Sequence, residues 1–456
     1  MVMSAIARPE MTPDLRTVPT PDLRGIRTSA APGRAPRIGV LYPSGAGNLG
    51  DEAILQATFE AIRARWPDAV LRAFTLHPAK TAANHRVEAE PLTGVNRRLF
   101  GAPRGDGPFA VRAANALARR TRGIPLLERA TGWASEWISA LVYETISVRR
   151  AWQWLQTADL VLASGGGQLD AVWGGTWGQP YALARWAWLA RRARVPFAFL
   201  SVGYGGTPTR LSRRFLKYAV SHATYCSVRD EGSLALTRKL GIKSELPVVP
   251  DLAFALQAAP PLRPRRPGYD IGISPMIYMR PGSWPHENLV DYQRYIALWT
   301  DLVVDRVARG DRVHLFVTDP ADMDAVQDVW ARLDAMTRIR CSVAHATTPD
   351  TLLQFFRRLD AVVSSRLHGV LLAIVAGRPV LALSHERKVR TLMSDAGVPT
   401  FCVELTTATM SQAGGRLSDL TGQLDPCARR LREYVAVASA AVRQQEEMLP
   451  QLLRAR

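Results

Sequence analysis

Arg366 and His368 sit two residues apart in the run Asp360-Ala-Val-Val-Ser-Ser-Arg-Leu-His-Gly369, between two apolar stretches. The pattern predicts a strand that delivers both residues to the first turn of a helix. Unpaired backbone N–H groups and the positive end of the helix dipole meet at such a point. A fixed guanidinium and a titratable imidazole added there make a site for an anionic ligand, with the histidine able to move protons near neutrality. An isolated Arg-x-His is more often a core histidine beside a surface arginine. Here the strand-to-helix position favours the functional reading, because ligands of open α/β sheets bind outside the carboxyl ends of strands.

The elements around this pair read as a βαβ unit. Val370 to Ala376 continues a helix, Gly377 stops it, Arg378 to Ser384 is a buried strand, and His385-Glu-Arg-Lys388 is a polar loop. Ser364, Ser365, Arg366, His368, Ser384 and Lys388 therefore fall on one rim. The same strand–glycine–helix grammar opens the ordered chain, where Arg37 to Tyr42 leads through Pro43-Ser-Gly-Ala-Gly-Asn-Leu-Gly50 into an amphipathic helix over Asp51 to Ile62. Gly45, Gly47 and Gly50 satisfy the dinucleotide spacing G-x-G-x-x-G. The second strand, Ala69 to Thr75, ends without the acidic residue that would hold a ribose, which argues against NAD. Asn48 can cap the helix, and Asp51 in its first turn is dipole-favoured and can face a ligand. Further on, Ala158 to Ser164 ends in Gly165-Gly-Gly-Gln-Leu-Asp170, where Gly166 and Gly167 let backbone approach a ligand and Asp170 is a candidate acid or base against a loop-bonding alternative.

At 456 residues, 47% of them hydrophobic, the chain is expected to form two domains. The formal charge of +18 would ordinarily raise nucleic acid as a partner. Only five basic residues are lysine, however, the rest being arginine, and neither RNA-type aromatic clusters nor a zinc-finger spacing occurs, so nucleic acid is disfavoured. The cysteines, Cys226, Cys341, Cys402 and Cys427, form no C-x-x-C pair; structural zinc and a disulfide framework are not expected, and a reducing cytoplasm fits. No apolar run approaches the ~20 residues of a membrane-spanning helix.

Residues 1–36 read as a disordered leader, 37–257 as an N-terminal Rossmann-like domain, 258–269 as a proline-rich linker, 270–425 as a C-terminal Rossmann-like domain, and 426–456 as a C-terminal helix that folds back. The expected fold class is α/β, with two Rossmann-like lobes facing a cleft, a GT-B-like architecture.

Taken together, Asn48-Leu-Gly-Asp51-Glu-Ala-Ile54, Gly165-Gly-Gly167, Ser227-Val-Arg-Asp230 with Ser233, Asp251, Ser365-Arg-Leu-His-Gly369, Gly377-Arg-Pro379 and Lys388 resemble, in order and spacing, the polysaccharide pyruvyl transferase family. The similarity spans about Arg37 to Val403. It implies transfer of pyruvate from phosphoenolpyruvate onto two hydroxyls of a saccharide acceptor as a ketal, in polysaccharide or glycoconjugate synthesis, with no further cofactor and no metal. It also implies that Arg229, Arg366 and His368 resemble the family's donor-binding residues, with Lys388, Ser365, Gly166 and Gly167 beside them. The chemistry suits these types, since two arginines can grip a carboxylate and a phosphate bidentately. His368 is the first choice for general acid or base, Asp51 and Asp170 are further candidates for activating the acceptor, and Asn48 is a candidate acceptor contact.

Two other readings compete: a GT-B glycosyltransferase using a nucleotide sugar, and a non-catalytic scaffold, against which the joint presence of Arg366 and His368 speaks. The stretch Arg97 to Arg122 holds seven arginines against Asp106 alone and precedes Trp133, Trp137 and Tyr143. A solvated insertion is its plain reading. The sharper one is a peripheral contact with the inner face of an anionic membrane that brings the enzyme to a lipid-linked sugar.

Overall fold

The computed structural model describes residues 34–43, 47–95, 108–121, 125–171, 174–205, 209–256, 267–284 and 286–454. Gly45, residues 1–33 of the expected leader, residues 258–266 of the expected linker, and residues 97–107 and 122 of the arginine-rich stretch lie outside these residues.

The first half alternates strands and helices. In chain order it holds β1 (Arg37–Leu41), α1 (Leu49–Arg65), β2 (Val70–Thr75), α2 (Pro78–His85), β3 (Glu88–Pro91), α3 (Phe109–Arg120), α4 (Pro125–Leu155) and β4 (Leu160–Ser164). α5 (Gln179–Ala193), β5 (Phe197–Val202), α6 (Arg210–Ser221), β6 (Tyr225–Val228) and α7 (Glu231–Lys239) follow. The six strands form a parallel sheet in the order β3-β2-β1-β4-β5-β6. β4 and β5 are buried at every residue, as their unbroken apolar sequences require of parallel strands covered on both faces. Phe74 meets Trp154 edge-on at 5.3 Å and Trp186 at 4.3 Å, and the Trp186 indole donates to the Leu92 carbonyl at 2.9 Å. That bond satisfies the one polar atom of a wholly buried side chain.

The second half repeats the plan. β7 (Asp270–Ser274), α8 (Leu289–Ala308), β8 (Arg312–Leu315), α9 (Met323–Arg332), α10 (Ala335–Arg338), β9 (Cys341–Val343) and α11 (Pro349–Phe356) come first. β10 (Ala361–Ser364), α12 (Leu367–Val375), β11 (Val380–Ser384), α13 (Arg387–Asp395), β12 (Cys402–Glu404), α14 (Met410–Gly422), α15 (Leu424–Glu446) and α16 (Leu449–Arg454) complete it. This sheet is also parallel, in the order β12-β11-β10-β7-β8-β9. β8 ends at Leu315, and the proline-containing stretch Leu246 to Leu252 makes an isolated bridge from Val248 to Val228.

Backbone proximity groups the described residues into two compact units. One comprises Gly47–Ala53 and Ala253–Arg443, the other residues 34–43, Ile54–Leu252 and 444–454. The first turn of α1 thus belongs with the second sheet. Among the described residues, no helix is long and apolar enough to cross a membrane.

Candidate active site

Strand order locates the site. In the second sheet β7 pairs with β8 on one side and β10 on the other, so the direction of winding reverses between β7 and β10. Side chains from the loops at that reversal meet at the carboxyl ends of the strands, where open α/β sheets bind ligands. β10 ends at Ser364, and Arg366 occupies the cap position of α12 with extended backbone. His368 follows in the first helical turn.

The Arg366 guanidinium is not loose. Its Nε donates to Asp322 Oδ2 at 2.8 Å and its Nη2 to Asp322 Oδ1 at 2.7 Å, a two-point ion pair. Asp322 is fully buried and also accepts the backbone N–H of Ile277, in the loop after β7, at 3.1 Å. One carboxylate therefore fixes both the arginine after β10 and the loop after β7. Burial raises the Asp322 pKa, and the Arg366 bonds and charge and the Ile277 N–H only partly offset it. For Arg366, burial opposes the charge, but the bonds and charge of Asp322, with Asp319 and Glu386 beyond, outweigh it and hold the guanidinium more firmly protonated. About a quarter of the Arg366 side chain remains exposed (26%), and its Nη1 is not used by Asp322.

The first turn of α1 closes on the same residues. Asn48 Oδ1 accepts the N–H groups of Gly50 (3.0 Å) and Asp51 (3.3 Å), its Nδ2 donates to Asp319 Oδ2 at 3.2 Å, and the Leu49 N–H donates to the Thr318 carbonyl at 2.8 Å. The Asn48 amide thus serves capping and anchoring, and Asp51 directly follows Gly50 in this turn. A β-carbon at Gly50 would fall onto the imidazole of His368. Glycine at position 50 leaves the space that the ring occupies at the start of α1, which explains the glycine inside Asn48-Leu-Gly-Asp51.

Two further groups border the rim. Buried Ser365 has its hydroxyl 3.5 Å from that of Tyr295, which in turn accepts the Met276 N–H at 2.7 Å. His385, just past β11, lies 4.9 Å from the Tyr278 ring and 6.0 Å from Trp284. Burial lowers its pKa, and the charges of Lys388 and Arg366 lower it further against the pull of Glu386 and Glu404. Lys388 itself pairs with Glu386 at 3.3 Å.

The other unit carries Arg229, Gly166, Gly167 and Asp170 around a second reversal, between β1 and β4. Gly166, at φ +64°, is packed so closely on Tyr42 that a β-carbon would strike the phenol oxygen. Its carbonyl accepts the Gly203 N–H at 2.6 Å, and a β-carbon at Gly203 would meet the Arg229 guanidinium at 2.8 Å. Arg229 pairs with Asp251 at 3.5 Å and Asp230 at 3.3 Å. Burial opposes its charge, yet Asp251, Asp230 and Tyr42 together raise its pKa. Asp170 flanks the loop, its carboxylate 3.1 Å from where a Gly167 β-carbon would stand.

The structure thus brings Asn48, Asp51, Ser365, Arg366, His368 and Lys388 together in one unit, and Gly166, Gly167, Asp170 and Arg229 in the other. Asp322 and Asp319 were missed from the sequence, where Asp319-Pro-Ala-Asp322 looks like an ordinary turn.

Solved structures with similar folds include a putative UDP-N-acetylglucosamine 2-epimerase of Listeria monocytogenes, with 10% identity, TM-score 0.53, and 92% of this chain and 96% of that one covered. HepE of Anabaena, solved with UDP and glucose, gives 14% identity, TM-score 0.51 and coverage of 91% and 98%. A glycosyltransferase of Rickettsia africae gives 9%, 0.50, and 92% and 99%. Such likenesses establish the fold, two Rossmann-like units of the GT-B class. A search of curated proteins finds no match. The profile of one family runs from the cap of α1 to the start of α13, over residues 48–387, and by that match the chain belongs to the polysaccharide pyruvyl transferases.

Proposed function

We propose that this protein transfers pyruvate from phosphoenolpyruvate to two hydroxyls of a saccharide, forming a ketal and releasing inorganic phosphate. Family membership supports transfer of a pyruvyl group in polysaccharide synthesis. The observation that carries the donor assignment is the Arg366 fork, locked on Asp322 beside His368 at the amino end of α12. A preset guanidinium and the positive end of a helix dipole suit a ligand with both carboxylate and phosphate.

In this reading His368 protonates the donor's methylene carbon, which leaves the adjacent carbon electrophilic toward the first sugar hydroxyl. Loss of phosphate and attack by the second hydroxyl close the ketal. Of the two hydroxyl protons, one ends on the new methyl group and the other leaves with phosphate. The imidazole can deliver the first and collect a later one, as a general acid and base. Arg229, held by Asp251, is a further candidate for binding an anionic group, and Asp51 and Asp170 are candidates for drawing protons from an acceptor.

Mass spectrometry of saccharide acceptors incubated with the protein and phosphoenolpyruvate tests this directly. A product heavier by one pyruvate less one water, formed together with phosphate, is expected. Glycosyl transfer from a nucleotide sugar, with phosphoenolpyruvate inert and without effect on the melting temperature, would replace this reading.

A further inference from the structure

α4 changes character halfway along its length. Its carboxyl half is fixed to its unit: Ala151, Trp154 and Leu155 are buried, and Glu144 accepts from the Gly94 N–H (2.7 Å), the Tyr181 hydroxyl (2.9 Å) and Arg185 (3.0 Å). Its amino half buries small polar residues instead. Ser135 and Ser139 are buried, and the Ser135 hydroxyl donates to Asn115 of α3 at 2.7 Å. The large apolar side chains are the ones left in water, with Trp133, Trp137 and Leu141 exposed by 65%, 55% and 69%. Spaced four residues apart, they form one stripe, and the two indoles touch at 5.9 Å. Phe109 and Leu117 on α3 are exposed as well. A helix facing water shows the reverse pattern, polar outside and apolar within. This face is built for a neighbour other than water.

Charge selects the neighbour. Arg112, Arg119, Arg120 and Arg129 are exposed on the same two helices, against the acids Glu128 and Glu136, and the whole chain carries +18. Two like-charged copies repel, whereas anionic headgroups attract. Indoles and aliphatic side chains beside arginines are the composition of a helix lying in a headgroup layer. We infer that α3 and the amino half of α4 dock on the surface of an anionic lipid bilayer, with Trp133, Trp137 and Leu141 entering the headgroup region. None of these residues is assigned to the donor, and the inference stands whether or not phosphoenolpyruvate is the donor.

Flotation of the full chain with vesicles of phosphatidylcholine, alone or mixed with phosphatidylglycerol, tests the inference at low and high salt. Binding to the mixed vesicles at low salt is expected, weaker by at least about tenfold on neutral vesicles or at high salt. The triple variant Trp133→Ser/Trp137→Ser/Leu141→Ser should lose at least about tenfold in vesicle binding with an unchanged melting temperature. Should it fail to fold, Arg112→Gln/Arg119→Gln/Arg120→Gln keeps the apolar stripe and should lose the preference for anionic vesicles. Absence of binding to mixed vesicles at low salt, or equal binding by the variants, overturns the proposal. So does a wild-type dimer without vesicle affinity that the triple variant converts to monomer, which would give the face to a second copy.

Discussion

Arg366 and Asp322 are 44 residues apart in sequence and joined by two hydrogen bonds, at 2.8 and 2.7 Å, across the reversal point of the second sheet. The pair presents a guanidinium whose orientation is set before any ligand arrives, and the same carboxylate holds the loop after β7 through Ile277. Preorganisation of this kind is how a binding site avoids the entropic cost of freezing a long side chain on its ligand.

Asp322→Ala should therefore raise KM for the donor more than it lowers kcat, because the arginine remains but wanders. Stability should fall by about 1–3 kcal/mol, the partial exposure of Arg366 sparing it the full cost of a stranded buried charge. Arg366→Lys keeps the charge but cannot form the two-point bond, and should cost about 10–100-fold in kcat/KM. Steady-state kinetics with varied phosphoenolpyruvate, beside urea melts, separate the two effects.

His368→Gln should lower turnover by roughly 10²–10⁴ with a smaller change in donor affinity. Near-normal turnover in this variant would transfer the proton role to Asp51 or Asp170, to be examined as Asp51→Asn and Asp170→Asn.

Gly50→Ala places a methyl group where the His368 ring lies. The ring must swing away or α1 must shift, at about 1–3 kcal/mol, and turnover should drop although no reactive group has been removed. Activity equal to wild type would mean that the close approach of Gly50 and His368 is dispensable.

His385 supplies a pH signature. Its pKa lies below the ordinary 6.5 because burial beside Tyr278 disfavours the charged ring. Between the lowered folded value and 6.5 the unfolded chain binds more protons, so this residue's contribution is present above 6.5 and is lost as pH falls through the folded value. Urea midpoints at about pH 7.5 and about pH 5.5 should differ less in His385→Gln than in wild type. An identical difference in both proteins would remove His385 from the acid sensitivity.

Legibility from sequence followed the range of the interactions. The junction of β10 and α12 was readable because an apolar run, a polar pair and a second apolar run lie consecutively. So was the start of α1, where Asn48 announces its cap. β9 and β12 were not, since each is three residues long without a fully buried position and offers no periodicity. The partnership of Asp322 with Arg366, and of Gly50 with His368, could not be read at all. Each joins segments far apart in the chain, and no local pattern records which turn will arrive beside which strand end.

Ser201, inside β5, adopts left-handed backbone at φ +50° where the register with β6 shifts, a conformation costing of order 1 kcal/mol for a non-glycine residue. Its N–H is taken by the Ser227 hydroxyl at 2.7 Å, and its hydroxyl accepts from Gln445 at 3.0 Å, while Gln445 also accepts from Tyr225 at 3.2 Å. A residue 244 positions downstream thus completes the strained edge of the first sheet. During synthesis this corner must wait, its strands already made, until the ribosome has delivered nearly the whole second half of the chain. Such late, distant contacts slow folding and lengthen exposure to misassembly, so the nascent first half is where dependence on a chaperone would be greatest.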